Sequence, residues 1–149
     1  MKPLPAPLAY VLITLASLLA AAVTGLAGAV AFVYLYDRGT SKGNDLAVAL
    51  IGLHVAGTFT FITMFTLLWT HRGNLSWRGP IASYIACICA LAFVTALCAP
   101  SYDDYYAVFF YAAWLAVAIS GGAALLVSRY ILSRAAARSE SIRDSGNSL

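Results

Sequence analysis

The chain has 149 residues, of which 62% are hydrophobic and only 10% charged, with a formal net charge of +3. Its mean hydropathy is +0.83. A soluble domain needs far more polar surface than this composition supplies, so the sequence predicts an integral membrane protein. The basic residues flank the apolar segments, and the small positive charge therefore does not indicate a nucleic-acid partner.

Four long apolar stretches predict four transmembrane helices, at about residues 7–36, 45–70, 80–99 and 104–133. Each has the roughly 20 apolar residues that a spanning helix needs. A signal peptide is the alternative for the first stretch, but a signal peptide has a shorter apolar region, which favours an uncleaved helix. Residues 1–133 form one transmembrane domain, and residues 134–149 form a short basic, partly disordered tail.

The basic residues predict the orientation of these helices. With four spans, Lys2, Arg72, Arg78 and the arginines of the tail share one side, whereas the other side carries Arg38 and Lys42. The positive-inside rule therefore places both termini in the cytoplasm. Trp69 and Trp77 are expected to mark the inner membrane interface, where aromatic rings are common. The sequence does not identify which membrane the protein occupies.

Small residues recur at helical spacing in each segment and predict the helix contacts. In lipid, helices associate through close packing, which small residues permit. The expected packing positions are Gly25, Gly28, Gly52, Ala56, Gly121 and Gly122. Short connectors and one small face per helix predict an all-α membrane protein, an up-down-up-down antiparallel four-helix bundle.

His54 is the main candidate for chemistry, because an ionisable group inside a membrane span is a functional hypothesis in itself. It is a possible ligand for haem b or a quinone. Haem usually takes two axial ligands. His71 lies about 25 Å away on the same helix, at about 1.5 Å per residue, so the two histidines cannot share one iron. The alternative is a neutral imidazole that is hydrogen-bonded within the helix bundle.

His54 lies about 160° around the helix from the ridge of small residues that contains Gly52 and Ala56, for ideal helix geometry. One helix of a four-helix bundle does not easily bury two opposite faces against its own neighbours. We therefore expect either His54 or the ridge to face a partner, which is another subunit or a second copy of the chain.

Cysteines, threonines and the arginines of the tail have simpler interpretations. Cys87 and Cys89 point in nearly opposite directions on a helix and are expected to behave as small apolar residues. The threonines of the second helix are expected to bond back to their own backbone, with the lining of a pore as the alternative. Arg129, Arg134 and Arg138 are expected to contact anionic lipid.

The layout of four spans with both ends inside is similar to that of MARVEL-type and other tetraspan membrane organisers, and to that of small accessory subunits. This similarity is one of architecture and transfers no site residues. The sequence predicts a non-enzymatic membrane protein that acts through helix packing, as an accessory or scaffold subunit or as a membrane organiser, with no cofactor. The alternatives are a redox anchor that binds haem or quinone at His54, and a small oligomeric channel or transporter.

Overall fold

The computed structural model describes residues 6–37, 45–98 and 104–146, which form four helices. They are α1 (Ala6–Asp37), α2 (Asp45–His71), α3 (Arg78–Cys98) and α4 (Asp104–Gly146). All four are long and apolar enough to cross a membrane. The prediction of an all-helical protein with four candidate spans is confirmed. Lys2, Arg38 and Lys42, which entered the prediction of orientation, lie outside the described residues.

Helix α2 is the centre of the assembly. Helix α1 packs along α2, while α3 and α4 pack against α2 and against each other. Within the described residues, α1 makes no close approach to α3 or α4. Much of α1 is therefore exposed, and Leu19 and Val30 keep 70% and 71% of their surface accessible. Apolar side chains with this exposure are suited to lipid, where helices gain little from burying them against one another.

The interface between α1 and α2 is built on small residues and ends on aromatic ones. At one end, the rings of Tyr10 and Trp69 lie 5.1 Å apart between centroids. Further along, a Cβ placed on Gly57 would lie 3.5 Å from the carbonyl oxygen of Ala21. At the far end, Gly28 meets Gly52 backbone to backbone. This close approach is possible because neither glycine carries a side chain.

The core between α2, α3 and α4 contains the most deeply buried side chains. Ile62 and Ala124 are fully buried in one cluster, and Leu91 packs with Ala113 and Val117 in another. The hydroxyls of Thr66 and Ser128, both fully buried, lie 2.9 Å apart and form a hydrogen bond between α2 and α4. This bond joins α2 and α4 at the level of Thr66 and Ser128.

Helix α4 continues past the predicted end at residue 133, as far as Gly146. The residues that follow are good helix formers, including the alanine run at 135–137, and the Ser139 hydroxyl donates to the Ala136 carbonyl at 2.7 Å. Most of the predicted tail is therefore helical, and residues 147–149 lie outside the described part of the chain.

Candidate functional site

A groove of about 520 Å³ lies where α1 and α3 stand apart on either side of α2. Its walls include Leu18 and Ala22 from α1 and Ala90 and Val94 from α3. Helix α2 contributes His54 to the lining. The groove exists because, among the described residues, α1 closely approaches only α2, and small side chains on both walls leave the space unfilled. Its lining is mostly apolar with few polar groups, a combination typical of sites for small apolar ligands or partner helices.

The ring of His54 is half-buried, and its Nδ1 lies 2.7 Å from the carbonyl oxygen of Leu50. A carbonyl oxygen only accepts, so Nδ1 must carry the hydrogen in this bond. In the neutral ring, Nε2 then has its lone pair unprotonated and can accept a hydrogen bond or bind a metal. His54 thus presents one acceptor or ligand atom at the wall of an apolar groove.

Metal-binding side chains are scarce around this groove. Within the described residues, no three His, Cys, Asp or Glu side chains are grouped so that they could hold a metal ion. Cys87 also lines the groove, while Cys89 is exposed, in keeping with their expected opposite directions. His71 is exposed and does not line the groove. One copy of the chain therefore brings a single imidazole to the groove, and a second axial imidazole for haem would have to come from another copy.

The predicted packing glycines of the first two helices lie where α1 and α2 are closest. A Cβ on Gly28 would come within 2.6 Å of the Ala56 Cβ, and one on Gly52 within 2.5 Å of the Gly28 carbonyl oxygen. A Cβ on Gly25 would lie 3.2 Å from the Leu53 carbonyl oxygen. The small face of α2 is thus occupied by α1 of the same chain.

The paired glycines of α4 differ from each other. A Cβ on Gly121 would collide with the ring of Tyr84, whose hydroxyl donates to the Ala118 carbonyl of α4 at 3.4 Å. A Cβ on Gly122 would meet nothing within 4 Å. Gly121 therefore makes room for α3, whereas the geometry gives no packing reason for a glycine at 122.

Several hydroxyls of α2 bond back to their own helix. Thr63, Thr66 and Thr70 donate to the carbonyls of Phe59, Ile62 and Leu67. Sequence reasoning missed that Thr66 also meets Ser128, because a periodic pattern in one helix does not show which residue of another helix lies opposite.

The three arginines predicted to contact lipid lie on the exposed surface of α4. The guanidinium of Arg134 sits 5.1 Å from the centroid of the Tyr130 ring, a cation–π contact within one helix. Arg129 and Arg138 are also exposed, which leaves all three available to a negatively charged surface.

A comparison of the chain with protein-family models, curated proteins and solved structures finds no match.

Proposed function

We propose that this protein is a non-enzymatic, multi-pass membrane protein that works through helix packing, as an accessory or scaffold subunit of a membrane complex. One observation carries the proposal. The small face of α2 is filled by α1, while His54, on another face of α2, borders a groove that stays open between α1 and α3. Of the two faces of α2 that could bind a partner, the one with His54 therefore remains available.

A transmembrane helix of a larger subunit suits this groove. Such a helix would fill the apolar space between α1 and α3, and a hydroxyl or amide on it would donate to Nε2 of His54. Hydrogen bonds of this kind between membrane helices contribute about 0.6 kcal/mol on average. The bond would therefore set the register of the partner more than its affinity. The other possible occupant of the groove is a second copy of the chain, as expected if the protein is a tetraspan-type membrane organiser.

The contacts support an up-down-up-down arrangement with both termini in the cytoplasm. Tyr10 lies near Trp69, and Thr66 near Ser128, so the start of α1, the end of α2 and the basic part of α4 share one end of the assembly. Arg72 and Arg78 flank the turn at that same end. Clustered arginines beside membrane spans are typical of the cytoplasmic side.

The experiment is purification of the tagged protein in a mild detergent, with mass spectrometry of whatever copurifies. His54→Leu is compared with His71→Leu, which removes an exposed imidazole from the same helix outside the groove. We expect a stoichiometric partner that is weakened by His54→Leu and retained by His71→Leu. A protein that remains a lone monomer, or a partner that is indifferent to His54, contradicts the proposal.

The second candidate is a redox anchor subunit with haem or quinone in the groove. It is favoured by the position of His54, whose Nδ1 bonds to the Leu50 carbonyl while the ring lines the groove. An absorption scan of the same purified sample tests it. A Soret band that is lost in His54→Leu and kept in His71→Leu would make His54 an axial ligand and replace the packing role. For a quinone, extraction of the sample and its chromatography give the corresponding readout.

A further inference from the structure

A second, smaller cavity of about 190 Å³ lies between the start of α1 and the end of α2. It is separate from the groove around His54 and shares no lining residue with it. Tyr10 and Ile13 line it from α1, and Trp69, Arg72 and Asn74 line it from the end of α2 and the turn that follows. On the arrangement proposed above, this cavity lies at the cytoplasmic membrane interface, at the depth of lipid headgroups.

The turn after α2 places the polar residues of this cavity. Gly73 has a φ of +80°, and its N–H donates to the Thr70 carbonyl at 2.9 Å. The Asn74 N–H donates to the Trp69 carbonyl at 3.4 Å. These two bonds form a Schellman motif, which ends the helix and satisfies its last carbonyls. As a result, Arg72 and Asn74 lie beside Trp69.

The buried ring of Trp69 has a polar N–H group that lacks a hydrogen-bond partner in the described part of the chain. Its side chain is only 8% exposed, and it packs between the rings of Tyr10 and Phe65 and against the backbone of Gly79. Its indole N–H has no hydrogen-bond partner among the described residues and almost no accessible surface, so it is enclosed by protein and does not open onto the cavity. A buried indole N–H normally finds an acceptor, because leaving a polar group unpaired away from water is unfavourable.

The groups around the cavity are rich in donors. The guanidinium of Arg72 only donates, and the Asn74 amide and the Tyr10 hydroxyl are able to donate. No carboxylate is among the lining residues, so this cavity has a positive charge without a matched negative one. An oxyanion would supply the missing acceptors and charge, and Arg72 can bind a phosphate through two parallel hydrogen bonds.

We propose that this cavity binds a phosphate group through Arg72 and Asn74. The apolar neighbours Ala9 and Ile13 would continue the site toward the hydrocarbon, so an anionic phospholipid is the source that fits best. A soluble phosphate has the same recognition chemistry. The site does not depend on the packing role proposed above, because the two cavities use different residues.

The test uses the full chain in a maltoside detergent, which carries no phosphate. A short-chain phosphatidylglycerol, the diacylglycerol with the same acyl chains, and inorganic phosphate are titrated separately, and the thermal midpoint of unfolding is followed. Ligands that bind the folded state raise this midpoint with a saturable dependence on concentration. Arg72→Gln removes the charge from the site. Arg78→Gln is the matched control, because Arg78 is exposed close by and does not line the cavity.

We expect phosphatidylglycerol to raise the midpoint saturably and diacylglycerol to leave it unchanged. Arg72→Gln should weaken the apparent affinity by about tenfold, the order expected for one charge-assisted hydrogen bond, and Arg78→Gln should leave it unchanged. A saturable response to inorganic phosphate with the same dependence on Arg72 supports the site and identifies a soluble source. The proposal is overturned if neither phosphate compound raises the midpoint saturably, which would indicate that the cavity holds only water. It is also overturned if Arg72→Gln and Arg78→Gln change the response equally, which would indicate only a general attraction to the basic surface.

Discussion

Substitution of Gly52 by alanine tests the close contact between α1 and α2. The added Cβ would lie 2.5 Å from the Gly28 carbonyl oxygen and 2.9 Å from the Phe32 Cβ. Two carbon atoms are most stable about 3.5–4.0 Å apart, so the helices must separate by about 1 Å. The atoms in the way include backbone, which does not move aside as the end of a flexible side chain would.

The expected magnitude follows from two opposing terms. Overpacking of a close contact costs about 1–3 kcal/mol. Replacing a helical glycine by alanine gains up to about 1 kcal/mol of intrinsic helix stability. We therefore expect Gly52→Ala to lower the free energy of unfolding by about 1–2 kcal/mol. Because α2 is the one helix that α1 closely approaches in the described part of the chain, the loss should appear first as detachment of α1.

The assay is reversible unfolding in mixed micelles with increasing denaturing detergent, with Gly122→Ala as the matched control. A Cβ on Gly122 meets nothing within 4 Å, so this variant keeps the gain in helix stability without a collision. It should be as stable as the original protein or slightly more so. Gly25→Ala should fall between the two, since its Cβ would lie 3.2 Å from the nearest atom. Equal stabilities of the Gly52 and Gly122 variants would refute the argument.

Three further predictions concern other contacts and the orientation. In a double-mutant cycle, the effects of Thr66→Val and Ser128→Ala on the free energy of unfolding should be coupled by about 0.6–1.7 kcal/mol, as for other hydrogen bonds between membrane helices. Additive effects would mean that the bond contributes nothing to stability. Gly121→Ala should lower the free energy of unfolding by less than Gly52→Ala, by about 0–2 kcal/mol, because the Tyr84 ring is a side chain that can turn aside and alanine gains helix stability. Tyr84→Leu in the same chain should restore part of the loss. Asn74-Leu75-Ser76 matches the N-glycosylation sequon, and if both termini are cytoplasmic it should stay unglycosylated in eukaryotic microsomes, whereas a glycan there would show that the orientation is the reverse.

Part of the packing was predictable from the sequence, and part was not. Small residues at helical spacing identified Gly28 and Gly52 as contact positions, because close approach of two helices requires the absence of a side chain. The same rule named Gly122, which the structure places away from any neighbour. Spacing along one helix shows which residues share a face, but it does not show whether that face has a partner.

The candidate sites, too, were only partly predictable from the sequence. His54 was identifiable because an imidazole inside an apolar segment is unusual. Trp69 was expected near the inner end of its span, but the sequence did not show that its ring is buried between α1 and α3. A tryptophan near the end of a span fits both environments, and the sequence around it is the same in each case.

The sequence by itself determined that the chain forms four helices suited to a membrane, because apolar length and the need to satisfy every backbone hydrogen bond act locally along the chain. Only the tertiary structure decided that α1 packs on α2 alone, that Thr66 meets Ser128, and that His54 and Trp69 each line a cavity. Those features depend on which helix faces which. In lipid that choice is made by close contacts between residues far apart in the chain, not by the hydrophobicity that all four helices share.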